Sequence, residues 1–282
     1  MGSGILYLCA TPIGNLEDIT YRVLRVLREV DLIAAEDTRH TRKLLSHYQI
    51  HTPLTSYFEH NKVEKGAYLL RKLQEGTSIA LVSDAGMPGI SDPGYELVVG
   101  AIEAGITVVP VPGPSAILAA LVVSGLPTDR FVFEGFLPRR KMERQRRLEV
   151  LKEEPRTIVL FEAPHRLVSL LEAIRENWGE RRLAVVRELT KKFEGVQRGT
   201  TSELLQYFSV NPPRGEITLV IQGFATAAAP AALPTDPGQQ VAALEAQGLT
   251  RKEAIKEAAR LLGRPKREVY RAVLQAEGEL DE

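Results

Sequence analysis

Cysteine is almost absent from this chain of 282 residues, since Cys9 is the only one. A single cysteine cannot form an intrachain disulfide, which excludes a disulfide-stabilised secreted scaffold and favours the reducing cytoplasm. No apolar run is long enough to span a bilayer, and the first residues do not have the pattern of a secretory signal. We therefore expect a cytoplasmic protein that does not cross a membrane.

An excess of charge of either sign is also missing, because 36 Lys and Arg residues balance 36 Asp and Glu residues. A polyanionic partner would therefore have to bind a local basic patch. The five histidines are scattered, so we predict that the protein holds no metal. The chain has neither the G-x-G-x-x-G fingerprint nor a P-loop, which argues against the usual dinucleotide and nucleoside-triphosphate sites.

Short apolar runs that alternate with amphipathic stretches predict an α/β fold built on mostly parallel sheet. The first half contains predicted strands at 5–9, 32–35, 79–82 and 108–111, with helices at 21–30, 63–75 and 95–104. The pattern then restarts, with strands at 131–136, 157–161, 183–186 and 217–221 and helices at 166–177 and 201–208. We therefore predict two α/β domains, 1–113 and 114–224.

The composition changes at 225–238, where alanine and proline replace the periodic apolar pattern, as in a linker. Beyond it, 239–247, 250–262 and 266–276 have helical periodicity, and Thr250 is followed by Glu253 at capping-box spacing. These features predict a small helix-turn-helix-like domain at 239–282. Its many basic residues are suited to a second phosphate-binding face or to docking of a protein.

Residues 83–94, directly after a predicted strand, combine three glycines and two prolines with Asp84 and Asp92. Such a loop has a fixed, irregular backbone, and open α/β sheets bind ligands at the carboxyl ends of their strands. The alternative is a surface loop without a ligand. Ser115, after the next strand, is placed either to cap the following helix or to touch a bound ligand.

Polar clusters follow other predicted strands. Each cluster alone is more often a helix cap with a surface ion pair, but their shared position at strand ends favours a functional site. Lys191 or Lys192 could hold a phosphate, and either could act as a base if burial removed its proton, with a solvated charge run as the alternative. The basic segment at 139–147 is suited to a nucleic-acid backbone, with a solvated helix as the alternative. The cluster residues are Asp37, Arg39, Glu59, His60, Glu162, His165 and Arg166.

Taken together, the motifs resemble the ribosomal RNA small subunit methyltransferase I family of the tetrapyrrole methylase superfamily. They occur in a fixed order along most of residues 5–223, and that order is far more specific than any single motif. The matching stretches are ATPIGNLEDIT, AEDTR, YFEHN, LVSDAGMPGISDPG, VPGPSA, GFLPR, FEAPHR, RELTK and RGEITLVIQG.

The resemblance implies two α/β domains with S-adenosyl-L-methionine in the cleft between them, and a homodimer. It implies 2′-O-methylation of a cytidine in the decoding region of small-subunit (16S) ribosomal RNA. The cofactor site carried over by this resemblance comprises Pro12, Asp84, Ala85, Gly86, Met87, Ser115, Ala116, Phe161, Leu189 and Ile217.

For this reaction the hydroxyl proton needs an acceptor, and Glu162, His165 and Lys191 are the candidates because of their strand-end positions. Two other functions stay open: a small-molecule methylase acting on a tetrapyrrole, and a non-catalytic RNA-binding assembly protein. The residues predicted to bind RNA are Asp37, Arg39, Glu59, His60, Arg139, Arg140, Lys141, Arg144 and Arg166.

Overall fold

The computed structural model describes residues 2–224, 236–246 and 248–276. The chain divides into two units, residues 1–224 and residues 225–282. The first unit contains two five-stranded sheets, and the described part of the second contains three helices. Of the helices in the described residues, none combines the length and apolar character needed to cross a membrane.

The first sheet is parallel throughout and has the strand order β3-β2-β4-β1-β5. Helices connect its strands and cover both faces. The elements are β1 (Ile5–Cys9), α1 (Tyr21–Glu29), β2 (Leu32–Ala35), α2 (Thr38–His47), β3 (Leu54–Ser56), α3 (Lys62–Gln74), β4 (Ile79–Val82), α4 (Tyr95–Glu103) and β5 (Thr107–Val111).

Side-chain alternation along these strands builds a core on each face of the first sheet. In β4, Ala80 and Val82 belong to the cluster that packs with α1, whereas Ile79 and Leu81 belong to the cluster that packs with α3 and α4. Both faces are buried, which explains why the strands are continuous apolar runs in the sequence.

The second sheet has the strand order β6-β7-β10-β8-β9. Only β6 and β7 pair in parallel, and the other neighbours are antiparallel. The elements are α5 (Ala116–Ser124), β6 (Phe131–Phe136), α6 (Lys141–Leu151), β7 (Thr157–Glu162), α7 (Leu167–Trp178), β8 (Arg182–Arg187), β9 (Gly195–Thr200), α8 (Thr201–Val210) and β10 (Ile217–Ile221).

The prediction of mostly parallel sheet is therefore wrong for the second sheet. The segment 188–194 between β8 and β9 is too short for a crossover, which needs about a dozen residues, so these strands form a hairpin. Four elements were missed: α2, α6 and β9, which are rich in polar residues, and the short β3. The other predicted strands and helices are present, with ends that differ by one or two residues.

The second unit contains α9 (Pro237–Ala246), α10 (Arg251–Leu262) and α11 (Lys266–Ala276). Their apolar faces share one small core. The Glu253 carboxylate accepts a hydrogen bond from the Thr250 backbone N–H at 3.1 Å, as the capping-box spacing predicts. Most of the predicted linker, residues 225–235, lies outside the described residues. Its predicted end at residue 238 is wrong, because Pro237 and Gly238 lie in α9. Proline is favoured in the first turn of a helix, where its missing N–H costs nothing.

The core of the second sheet offers a direct stability test at Leu160, which is fully buried in β7. Leu160→Ala leaves a cavity and is expected to lower the free energy of unfolding by about 2–5 kcal/mol. The matched control is Val150→Ala, at a position 68% exposed on α6, with an expected effect within about 0.5 kcal/mol. Urea unfolding measures both, and equal effects would contradict this assignment of the core.

Candidate active site

A cavity of about 480 Å³ lies where the ends of the two sheets meet. The first sheet contributes the segments that follow β1, β2, β4 and β5. The second contributes the ends of β6, β7 and β8, the segment after β8 and the start of β10, which is antiparallel to β7 and β8. The lining residues are Ile13, Glu36, Asp84, Ala85, Gly86, Met87, Ile90, Ser91, Asp92, Ser115, Ala116, Ile117, Phe136, Phe161, Glu162, Ala163, Pro164, Val186, Leu189, Gly215, Glu216, Ile217 and Thr218.

Two loops of the first sheet are joined by backbone hydrogen bonds at the wall of this cavity. The Thr11 N–H donates to the Gly86 carbonyl at 2.9 Å, and the Gly86 N–H donates to the Thr11 carbonyl at 3.0 Å. Gly86 adopts a φ of 78°, a left-handed conformation that favours glycine. This pairing fixes the loop after β4 and presents Ala85 and Met87 to the cavity.

The structure brings the predicted cofactor residues together around this cavity, with one exception. Pro12 is not among the lining residues, and its neighbour Ile13 lines the wall instead. Ser115 both caps α5 and lines the cavity, so the two interpretations of this residue are compatible: its Oγ accepts from the Leu118 N–H at 3.5 Å. From the second sheet, Phe161 contacts the Phe133 ring, with 4.9 Å between centroids.

Three carboxylates of the first sheet, Glu36, Asp84 and Asp92, lie on one wall. Asp84 Oδ1 accepts from the Asp37 N–H at 3.1 Å, while the Asp84 N–H donates to Glu36 Oε2 at 3.4 Å. Burial raises the pKa of Glu36. Burial and then the negative charge of Glu36 raise the pKa of Asp92 to about 7. Crowded carboxylates in a half-buried wall favour a bound cation.

Sequence reasoning assigned no role to Glu36 or Asp92 in the site, although both lie in the quoted motifs. The signal that could have found them is their position after β2 and β4, which are neighbours in a parallel sheet. Carboxyl ends of neighbouring parallel strands lie at the same edge.

The opposite wall contains Glu162 at the end of β7, with a side chain that is fully buried. Its Oε1 accepts from the Ala163 N–H at 2.8 Å and lies 3.1 Å from Arg166 Nε. Its Oε2 has no hydrogen-bond partner among the described residues. Burial raises the pKa of Glu162, and the Ala163 N–H and the Arg166 charge oppose that rise only in part.

Arg166 was predicted to bind RNA, and in the structure its guanidinium has several partners within the chain. Its guanidinium pairs with Glu162 and also donates to the Leu137 and Pro138 carbonyls, at 2.9 and 3.3 Å. Only 15% of its side chain is exposed. Arg166 is therefore committed to holding Glu162 in place.

Lys191 and His165, the two other predicted proton acceptors, lie outside the cavity lining. The Lys191 ammonium is 3.2 Å from Glu188 Oε1 and 3.0 Å from Glu216 Oε2. Burial lowers the pKa of Lys191, but the hydrogen bonds and charges of Glu216 and Glu188 outweigh it, so the pKa is raised. A raised pKa favours the protonated form of Lys191 over the free amine that a base requires. His165 is exposed and lines a neighbouring groove.

The remaining residues predicted to bind RNA lie outside the lining given above. Some have partners within the chain. Asp37 pairs with Arg39 at 2.9 Å, Glu59 pairs with Lys62 at 2.8 Å, and Arg144 donates to Ser169 Oγ at 3.4 Å. Arg140 pairs with Glu143 at 3.2 Å. His60, Arg139, Arg140 and Lys141 are exposed, and the last three precede or begin α6.

Comparison with known proteins assigns the class. The family model for Tetrapyrrole (Corrin/Porphyrin) Methylases matches residues 6–205, and this chain belongs to that family. A solved uroporphyrin-III C-methyl transferase from Thermus thermophilus, complexed with S-adenosyl homocysteine, is 20% identical with a TM-score of 0.55, over 78% of this chain and 97% of its own. A diphthine synthase structure has a TM-score of 0.60 at 14% identity, over 78% of this chain and 90% of its own.

Curated relatives are more similar and confirm the resemblance drawn from the ordered motifs. Ribosomal RNA small subunit methyltransferase I of Synechocystis is 51% identical over 98% of this chain and 99% of its own. The protein of that name in Bacillus subtilis is 48% identical over 95% and 94%. The one in Thermotoga maritima is 52% identical over 78% of this chain and 99% of its own.

The buried ion pair provides a pH-dependent test of the site. Arg166→Met leaves the buried Glu162 without its cation and is expected to lower the free energy of unfolding at pH 8 by about 3 kcal/mol. Burial already raises the pKa of Glu162, so the folded state binds its proton more readily than the unfolded state does. The loss should therefore shrink as the pH falls to 5 and the carboxylate becomes protonated.

Urea unfolding at both pH values measures this loss. The matched control is Arg146→Met, an exposed position on α6 where little change is expected. A loss for Arg166→Met that is independent of pH would contradict the account.

Proposed function

We propose that this protein is an S-adenosyl-L-methionine-dependent methyltransferase that methylates small-subunit ribosomal RNA at the 2′-hydroxyl of a cytidine in the decoding region. The observation that carries this proposal is the cavity between the two sheets, with a cluster of carboxylates on one wall and the buried Glu162 on the other. The names of relatives that are about half identical over nearly the whole chain support the RNA substrate.

The cavity suits the methyl donor in size and charge. Its volume of about 480 Å³ lies in the range typical of small-molecule sites, about 300–1,000 Å³. The carboxylates of Glu36, Asp84 and Asp92 complement the sulfonium and ammonium charges, and apolar side chains such as Phe161 and Leu189 suit the adenine. When bound, S-adenosyl-L-methionine supplies a methyl group on a sulfonium that leaves as a neutral thioether.

Glu162 is the proton acceptor in this proposal. Oε1 is held by Arg166 and the Ala163 N–H, whereas the buried Oε2 of this cavity-lining side chain has no partner among the described residues. Burial raises the pKa of Glu162, which makes the carboxylate a stronger base. As the oxygen–methyl bond forms and the methyl–sulfur bond breaks, Oε2 takes the proton of the ribose hydroxyl.

The RNA backbone binds the exposed basic residues Arg139, Arg140 and Lys141 in this proposal. They follow β6 closely, and Phe136, the last residue of β6, lines the cavity. This short connection supports an RNA path that runs from the basic segment to the cavity. In this arrangement the exposed basic residues bind the RNA phosphates, and the acidic cavity binds the cationic cofactor. The two ligands therefore have separate surfaces of opposite charge.

We expect the protein to act as a homodimer in the cytoplasm. Exposed apolar side chains on α5 support a surface for the second copy: Leu118 is 53% exposed and Val122 is 69% exposed. A tetrapyrrole substrate, suggested by the distant fold neighbours alone, has less support, because those structures are less than 25% identical to this chain.

Mapping the methyl group tests the proposed reaction. Small-subunit RNA incubated with the protein and S-adenosyl-L-methionine is expected to gain one methyl group on a cytidine of the decoding region, located by mass spectrometry. The backbone at that nucleotide should resist alkali, because alkaline cleavage needs a free 2′-hydroxyl. Methylation that leaves the site sensitive to alkali would contradict the 2′-O assignment. Absence of methylation would contradict the proposal that the protein methylates this RNA.

Substitution of Glu162 tests the proton acceptor. Glu162→Gln keeps the shape but not the base, and it is expected to lower the single-turnover rate about 100-fold or more. Binding of S-adenosyl-L-methionine, followed by isothermal titration, should persist. Glu172→Gln, an exposed position on α7, is the matched control. A full rate in Glu162→Gln would eliminate Glu162 as the acceptor.

Asp92 makes the affinity for the cationic donor depend on pH. Because its pKa is about 7, Asp92 becomes charged between pH 6 and pH 8, and binding of S-adenosyl-L-methionine should strengthen several-fold over that range. Asp92→Asn cannot ionise, and the ligand's own amino group titrates equally in both proteins. Isothermal titration should therefore show a smaller pH effect in the variant, and an unchanged effect would contradict the assignment.

A further inference from the structure

A groove with the opposite charge character adjoins the cavity on its second-sheet side. It has a volume of about 660 Å³ and shares Pro164 and Gly215 with the cavity lining. The start of α7, the end of α8 and the segment before β10 form its walls. The two hollows are thus neighbours in the first unit and share part of their lining.

The chemistry of the groove differs from that of the cavity. Its described lining contains no carboxylate, whereas the cavity lining contains several. The charged or titratable side chains of the groove are His165 and Arg214, both exposed and without a hydrogen bond or ion pair among the described residues. Val168 and Phe208 supply apolar surface, together with the rigid rings of Pro212 and Pro213.

We propose that this groove binds the nucleotide next to the methylated one, with its base against the proline and histidine rings and its phosphate on Arg214. This inference rests on the proposed function. For its ribose to enter the cavity, the target nucleotide must be unpaired and splayed away from the adjacent nucleotides. Single-stranded RNA of this kind is bound by flat side chains together with cations. Because Pro164 and Gly215 line both hollows, the groove is next to the cavity, where a nucleotide that flanks the target would lie.

The groove also accounts for His165, which follows β7 closely but lies outside the cavity lining. A proton acceptor must reach the reacting hydroxyl, and Glu162 already provides a buried oxygen without a partner there. In the groove, the imidazole ring offers a flat face to a base, and its polar edge offers a contact to the RNA backbone. His165 is therefore a substrate-binding residue rather than a catalytic one.

Steady-state methylation with the full-length protein and unmethylated small ribosomal subunits tests the groove. Arg214→Ala is expected to raise the KM for the subunits about tenfold, the typical effect of losing one good contact, and to leave kcat and the affinity for S-adenosyl-L-methionine unchanged. The slope of log KM against log salt should become shallower, because one phosphate contact is lost. His165→Ala and Ser209→Trp, which fills the groove, should raise KM in the same way.

Arg175→Ala is the matched control, because Arg175 is exposed near the other end of α7. If the groove variants keep the KM and salt slope of the control while the wild type methylates normally, the proposed nucleotide site in the groove is contradicted. The proposed function would then still stand. If His165→Ala lowers kcat at saturating concentrations of the subunits, the claim that His165 only binds the substrate is likewise contradicted. A wild type that binds S-adenosyl-L-methionine but methylates no subunit would overturn the proposed function and this inference together.

Discussion

The close approach of two loops, one from each sheet, sets the separation of the cavity walls. Gly14 follows β1, and a Cβ at this position would lie 2.5 Å from Lys191 Cγ and 2.9 Å from the Leu189 carbonyl oxygen. Any larger residue would push the loops apart. Glu188 and Thr190 both adopt positive φ angles, 49° and 65°, so the second-sheet loop holds an uncommon conformation where it meets Gly14. We infer that this contact helps to keep the carboxylates of the first sheet opposite Phe161 and Glu162 of the second.

Charge is distributed to suit two ligands of opposite sign. Carboxylates line the cavity, and burial raises the pKa of Glu36, Asp92 and Glu162 there. Burial destabilises the anionic form of these carboxyl groups, and either a nearby cation or a bound proton relieves that cost. The cavity therefore favours binding of a positively charged cofactor and uptake of a proton by one of its carboxylates. Exposed basic side chains lie outside the cavity, among them those at the start of α6 and Arg214 in the adjoining groove.

Local sequence patterns were sufficient for much of the fold and for one wall of the site. The buried strands, such as Ile5–Cys9 and Ile217–Ile221, are apolar runs that depend little on context. The edge strand Gly195–Thr200 has no such run, because its stability comes from backbone pairing with β8, a partner invisible to local patterns. The loop around Gly86 was found because glycine and proline constrain the backbone by themselves.

Roles that depend on a partner could not be predicted in this way. Arg166 is a basic residue at a strand end, which suggested RNA binding. In the structure its guanidinium pairs with the buried Glu162, a contact that local sequence does not reveal. The pKa of Lys191 depends on Glu216, which is 25 residues away in sequence and 3.0 Å away in space. The resemblance to a methyltransferase family selected most of the residues that line the cavity, and the three-dimensional structure adds Glu36 and Asp92 to that lining.

A crystal structure of the full chain with S-adenosyl homocysteine would test the central claim most directly. The account predicts density for the ligand between the Ala85–Met87 loop and Phe161, with its amino group facing the wall of Glu36, Asp84 and Asp92. Density for the ligand anywhere else on the protein, with this cavity holding only solvent, would contradict it.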